Sequence, residues 1–305
     1  MKNAIIAVLV IILVSAGIYF FIQRVATKSN VIEPTISEND KESDKTPVVE
    51  ENKEKSIIGK SVEGRDIIAY HFGTGDTEIL FVGGIHGGYE WNTALVAYEA
   101  IDYLKANQNS IPENITVTII PVLNPDGLSK VVAVPQNTFT KADVSLSQTL
   151  QVSGRFNANN VDLNRNFDCD WQTDGKWQNK TVSGGSEAFS EPESQAVKKY
   201  IETSEPKAVV VWYSAANGVF ASNCHNGVLA ETRTIMNIYA KASGYPAYES
   251  FDFYEVTGDM VNWLAKQSVP AISVLLSNHT DTEWSKNKAG IEAMVKHYTK
   301  DEGYF

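Results

Sequence analysis

Two segments of this chain combine residue types that can hold a metal ion or grip a carboxylate. The first, GGIHGGYEW, contains His86 and Glu90. An imidazole and a carboxylate four residues apart, where a strand ends and a helix opens, can face one point. There they can hold Zn²⁺ through a neutral ring nitrogen and a carboxylate oxygen. The same glycine-rich run also suits a plain strand-to-helix turn whose histidine only hydrogen-bonds locally. It is not a phosphate loop, because no Gly-Lys-Ser/Thr follows. The second segment, GRFNANNVDLNRNFD, carries Arg155, Asp162, Asn164 and Arg165. Two arginines and an asparagine in one loop can bind a carboxylate through paired hydrogen bonds. They can equally be solvated residues of a surface loop. YEVTGDMVNW contributes Tyr254, and NPDGL (124–128) is a turn signal after an apolar strand. Each is weak alone.

Such groups need a frame. Strands are predicted over Asp66–Phe72, Glu78–Gly83, Ile115–Val122, Lys207–Tyr213 and Pro270–Leu276. Several are continuous apolar runs, as in strands buried on both faces of a sheet. Helices are predicted over Glu90–Leu104, Glu191–Thr203, Ala230–Ala242, Asp259–Gln267 and Lys286–Thr299. Ser190, with Glu193 three residues on, reads as a capping box for the second of these. The alternation of strands and helices predicts an α/β fold, a sandwich with helices flanking a sheet.

Composition narrows the field. The 305 residues include 26 Lys+Arg against 37 Asp+Glu, a net charge of −11, which argues against nucleic acid as the main partner. Two cysteines exclude a Cys-built zinc module and a disulfide-stapled scaffold. Residues 4–22 are nineteen consecutive uncharged residues, enough helix to span most of a bilayer's ~30 Å hydrocarbon core. This predicts an N-terminal membrane anchor over residues 1–28, with a cleaved signal peptide as the rival. Residues 29–56 carry eight acidic and four basic residues and no aromatic. Such a segment buries too little apolar surface to offset its ordering entropy, and reads as a disordered tether. The globular unit is expected over 57–305.

From about Ile57 onward the chain resembles the zinc metallocarboxypeptidases of family M14, the carboxypeptidase A-like peptidases. It looks most like the bacterial branch that trims peptides or peptidoglycan stems. GGIHGGYEW, NPDGL, the run from Arg155 to Asn166 and SEPE occur in the family's order. The resemblance implies a three-layer α/β sandwich with a mixed central sheet. It implies a Zn²⁺ cofactor held by His86 and Glu90, with Asp162 orienting the histidine. Arg155 matches the arginine that polarises the scissile carbonyl. Asn164 and Arg165 match the clamp on the substrate's terminal carboxylate, and Tyr254 the tyrosine that closes over it. In active members zinc and a glutamate activate water, and the glutamate then passes the proton to the leaving amine.

Three departures follow. HGGYE has one residue more between ligands than the family's His-x-x-Glu. Tyr213 stands where the third ligand should be a histidine, which leaves a Tyr213 phenolate, a swung-in His225, or no strong third ligand. Leu275 stands where the general-base glutamate should be. Asp281 and Glu283 lie downstream, but no spacing puts them at the metal. The implied function is action on, or binding of, the C-termini of peptides or peptidoglycan stem peptides, with zinc-dependent hydrolysis impaired. The alternative is a non-catalytic peptide-binding pseudoenzyme at the cell surface. A metal-dependent amidase of the same fold is weaker, because the carboxylate clamp is intact. The loops carrying Cys169 and Cys224 should both rim the cleft in this fold, either bonded to each other or as separate thiols. His71, His279 and His297 are expected on a strand surface, a loop and a helix face. The domain is expected outside the cytoplasm.

Overall fold

The computed structural model describes residues 54–299. The anchor segment 4–22 and nearly all of the predicted tether lie outside the described residues. Lys55 and Ser56, placed at the tether's end by composition, are the first residues of β1, paired with Tyr70 and Ala69.

Among the described residues there are ten strands: β1 (Lys55–Lys60), β2 (Asp66–Gly73), β3 (Thr77–Val82), β4 (Ile115–Ile120), β5 (Asp174–Trp177), β6 (Lys180–Ser183), β7 (Ala208–Ser214), β8 (Gly218–Ala221), β9 (Ala247–Tyr248) and β10 (Ala271–Leu276). The described residues also form seven α-helices: α1 (Trp91–Ala106), α2 (Pro125–Ser129), α3 (Gln148–Ser153), α4 (Pro192–Ser204), α5 (Ala230–Ser243), α6 (Met260–Lys266) and α7 (Trp284–Thr299). Eight strands form one mixed sheet in the order β1-β2-β4-β3-β7-β10-β8-β9, and β5 with β6 make a separate hairpin. The centre, β4-β3-β7-β10, is parallel, while β1, β2 and β8 run antiparallel to their inner neighbours.

This is the expected three-layer α/β sandwich. On one face Phe81, Trp212 and Val274 pack against Val96 and Ile101 of α1, Ile235 and Tyr239 of α5, and Ile291 and Met294 of α7. On the other, Leu80, Val82 and Val211 pack against Val197 and Ile201 of α4 and Trp263 and Leu264 of α6. β7 is buried at all seven positions, which is why AVVVWYS runs apolar up to its last residue, Ser214, rather than alternating. The buried indole of Trp212 donates to Tyr239 Oη (3.1 Å), and Tyr239 Oη donates to Asn287 Oδ1 (2.8 Å), so the apolar layer leaves neither group unsatisfied.

One sequence expectation is corrected. Ser190 and Glu193 do not form a capping box, because α4 starts at Pro192 with Glu191 as N-cap. The Ser190 hydroxyl donates to Glu191 Oε1, and Glu193 Oε1 accepts from Val62 N. Ser190 thus turns to its own neighbour, and Glu193 is drawn to a distant segment that no local pattern contains.

Cys169 and Cys224 form a disulfide across a sequence separation of 55. It ties the loop after Asn164 and Arg165 to the segment after β8. Closing a loop of that length is worth up to about 4 kcal/mol in the chain-entropy account. Cys169→Ser with Cys224→Ser is therefore expected to destabilise the fold by roughly 2–4 kcal/mol in denaturant titration. An unchanged unfolding midpoint would contradict that.

Candidate active site

Three parallel strands, β3, β7 and β10, end on the same side of the sheet, and ligands of open α/β sheets bind outside such strand ends. A cavity of about 990 Å³ lies there.

After β3 the chain turns through GGIHGGYE. Gly87 has φ +41°, and a Cβ there would meet Gly127 C and Gly154 O at 2.8 Å. The turn thus needs glycine to press against the NPDGL turn. That turn is built by Asn124, whose side chain accepts from Gly127 N (2.8 Å) and donates to Arg155 O (3.2 Å). NPDGL therefore holds both the histidine turn and the Arg155 loop. Glu90 is the N-cap residue of α1, but its carboxylate does not cap the helix. It faces His86 instead, with Oε1 3.0 Å from His86 Nδ1.

His86 and Glu90 are both buried, and His86 Nε2 lies 3.3 Å from Asp162 Oδ1. The His86 contacts are off the line of a hydrogen bond, so both its ring nitrogens and Glu90 Oε2 are buried without hydrogen-bond partners. Arg155 Nε donates to Asp162 Oδ2 (2.8 Å), and Arg155 Nη1 lies 3.8 Å from Glu90 Oε1. Burial alone would raise the Asp162 carboxyl, but Arg155 and His86 outweigh it and hold it well below the usual carboxylate range. The same contest leaves Glu90 lowered, with His86 and then Arg155 overcoming burial. Both carboxylates are ionised at neutral pH.

The alternative of a solvated surface loop for the Arg155–Arg165 segment does not hold, since Arg155 is 2% and Arg165 1% exposed. Arg165 donates to Lys176 O through Nε (2.9 Å) and Nη2 (2.7 Å), and to Asn164 O through Nη1. Asn164 Oδ1 accepts from Tyr213 Oη (3.2 Å) and from Met260 N (3.1 Å). Arg155, Asn164, Arg165 and Tyr254 all line the cavity together with His86 and Glu90. Tyr254 is half-buried on the loop before α6, its ring 5.1 Å from Phe251. The floor can hold a carboxylate, and Arg155 can polarise a carbonyl.

Tyr213 and Leu275, where a histidine and a glutamate are expected, lie side by side. Leu275 of β10 is the cross-strand partner of Tyr213 of β7, and both line the cavity. Burial pushes the Tyr213 phenol well above its ordinary value, with Asp259 and Glu90 adding to the effect. It is therefore a neutral hydrogen-bond donor to Asn164 rather than a phenolate. His225, the other candidate third ligand, is exposed and pairs with Asp170 (2.7 Å) outside the cavity lining. Glu283 accepts from Ser277 N (2.6 Å), Tyr245 Oη (2.9 Å) and Lys286 Nζ (2.7 Å), and neither it nor Asp281 lines this cavity.

These side chains test the fit of zinc. His86 and Glu90 present buried, unpartnered atoms of the right type. Among the described residues, however, no group of three His, Cys, Asp or Glu side chains is placed to hold a metal ion. Two donors do not make the closed or open four-coordinate site that zinc favours. Elemental analysis of the purified chain after mild dialysis is expected to find clearly substoichiometric zinc. Tightly held, near-stoichiometric zinc would show that another group completes the site.

Four cavity residues had no signal in the sequence. The Arg155 guanidinium lies 4.5 Å from the Trp177 ring and 5.7 Å from that of Tyr89. His279, expected merely on a loop, lies 4.7 Å from Tyr89 with its Nδ1 buried and unpartnered. Asp259 caps α6 through Oδ2 while its Oδ1 has no partner. His71 and His297 lie away from the cavity, bonded to Ser56 and Thr118 and to Glu231.

Comparison with known proteins agrees with this architecture. Residues 50–303 match the zinc carboxypeptidase family. The human Carboxypeptidase N catalytic chain is 28% identical over 208 residues, covering 64% of this chain and 40% of that protein. Gamma-D-glutamyl-L-diamino acid endopeptidase 1 of Lysinibacillus sphaericus is 26% identical over 216 residues, covering 65% of this chain and 54% of that protein. Bovine thrombin-activatable fibrinolysis inhibitor, solved with tick carboxypeptidase inhibitor, superposes with a TM-score of 0.64 at 17% identity, covering 81% of this chain and 90% of that one. The chain belongs to the zinc carboxypeptidase family, M14, as its motifs imply. It spans about two fifths of the length of the carboxypeptidase N chains it matches.

Proposed function

We propose that this cleft holds the free C-terminus of a peptide, a peptidoglycan stem peptide being the leading candidate, and that hydrolysis is impaired. The observation that carries the reading is an asymmetry within one cavity. The carboxylate-gripping and carbonyl-polarising side chains Asn164, Arg165 and Arg155 are present and fixed. The paired positions 213 and 275 offer a neutral phenol and an alkyl group instead of a ligand and a base. Leucine can neither take nor give a proton, and that loss alone removes ~10²–10⁴-fold of rate. The name of the Lysinibacillus relative supports a peptide substrate containing a diamino acid. Calorimetric titration tests the binding half. A peptide with a free C-terminus should bind the full-length protein at least about tenfold more tightly than its C-terminal amide, the weight of one charge-assisted hydrogen bond. Equal affinity for the two would contradict the reading.

We further propose that residues 4–22 hold the chain at a membrane with the cleft outside the cytoplasm. The Cys169–Cys224 disulfide supports this, since such bonds persist in oxidising compartments. Full-length protein is expected to stay with the membrane fraction through a carbonate wash at high pH. Release of a shorter soluble form would indicate a cleaved signal instead.

A further inference from the structure

Tyr213 is not simply a lost ligand. Its hydroxyl reaches Asn164 Oδ1 (3.2 Å), and the same oxygen accepts from Met260 N (3.1 Å). A backbone N–H can only donate, so the atom facing Met260 must be the amide oxygen. The Tyr213 hydroxyl, 3.2 Å from that same oxygen, meets an acceptor and so donates as well. The amide cannot turn over without setting its NH₂ against the Met260 N–H, which cannot accept, and the bond from the Tyr213 hydroxyl holds the side chain in place beside it. Nδ2 has no hydrogen-bond partner among the described residues, and Asn164 lines the cavity beside Arg165.

We propose that Tyr213 is a positioning residue for C-terminal recognition: its hydroxyl locks the Asn164 amide so that Nδ2 faces the cavity as a fixed donor to a bound carboxylate. The geometry gives the substitution a consequence beyond the loss of a metal donor. A histidine at 213 has no hydroxyl to send to Asn164, so the same position serves either a metal or the carboxylate clamp. Leu275, beside Tyr213 in register, adds an apolar neighbour that offers the phenol no competing acceptor. This inference rests on the proposed binding of peptide C-termini.

The test is Tyr213→Phe in the full-length protein, which keeps the ring and removes only the hydroxyl. Its dissociation constant for a peptide with a free C-terminus should rise about three- to tenfold, as expected for one buried hydrogen bond acting through a neighbour. The effect is partial because Met260 N–H still favours the same amide orientation. Affinity for the C-terminal amide of the same peptide should not change, so the ratio of the two affinities falls. A general loosening of the cavity would weaken both peptides alike. As a second measurement, the Asn164 side-chain ¹⁵N–¹H₂ signal of the parent, identified by its loss in Asn164→Asp, should shift when the free-C-terminus peptide is added and not with the amide. The inference is overturned if Tyr213→Phe leaves the ratio unchanged, or if that signal is silent to the free carboxylate. If the parent binds no peptide at all, the proposed function fails and this inference with it. If parental binding depends on Arg165 but not on Tyr213, only this inference fails.

Discussion

Tyr213→His combined with Leu275→Glu is expected to restore zinc binding and measurable release of C-terminal residues, while either change alone does little for that release. The two residues are cross-strand partners on β7 and β10. The new imidazole and carboxylate would therefore stand side by side at the cavity that already holds His86 and Glu90. A ligand without a base binds metal and leaves the water unactivated. A base without the third ligand has no metal-held water to act on. Groups that act as one unit are strongly non-additive in this way. The base by itself accounts for ~10²–10⁴-fold of rate, so the double variant should exceed both single variants by at least that order. The same double variant gives up the Tyr213–Asn164 hydrogen bond, so it should bind the free C-terminus less tightly than Tyr213 protein does. If the parent already cleaves and the double change brings no gain, the missing groups are supplied by other residues of this chain.

Arg165→Ala is expected to weaken binding of a free peptide C-terminus by roughly ten- to a hundredfold, at about 1.5–3 kcal/mol for a charge-assisted hydrogen bond to a carboxylate. The guanidinium is almost fully buried and is held on Lys176 O and Asn164 O, so it arrives at the cavity already ordered. Little side-chain entropy remains to be lost on binding, which favours the upper part of that range. Binding is read by calorimetry alongside a thermal melt, since Arg165 also fastens the β5–β6 hairpin through Lys176. A variant that keeps its melting temperature and its affinity would remove Arg165 from the clamp.

Much of this architecture is legible along the chain, for identifiable reasons. Runs such as AVVVWYS and AISVLL are apolar but for one serine each because β7 and β10 are buried on both faces, and the structure places both strands within a residue of expectation. The motifs carrying His86, Glu90, Arg155, Asn164 and Arg165 are local in sequence, and the fold brings all five to one cavity. What escaped notice depends on distant partners. β8 and β9 have four and two residues and no pattern of their own. Trp177 reaches Arg155 only because a small hairpin folds over the cavity, and His279 reaches Tyr89 only because the loop after β10 turns inward. The register that sets Leu275 against Tyr213 belongs to a parallel pairing between distant segments. Sequence spacing presents two separate departures, whereas the sheet sets both residues side by side.

The claim that this cleft holds peptide C-termini while cutting them poorly is tested most directly by mass spectrometry of the ligand itself. Full-length protein is incubated with added zinc and a peptide bearing a free C-terminus, and both bound and unbound peptide are weighed over time. The account predicts that the peptide is recovered from the protein intact, and that the Tyr213→His, Leu275→Glu protein shortens it by its C-terminal residue under the same conditions. Steady shortening by the parent, at a rate the double change does not improve, would contradict it.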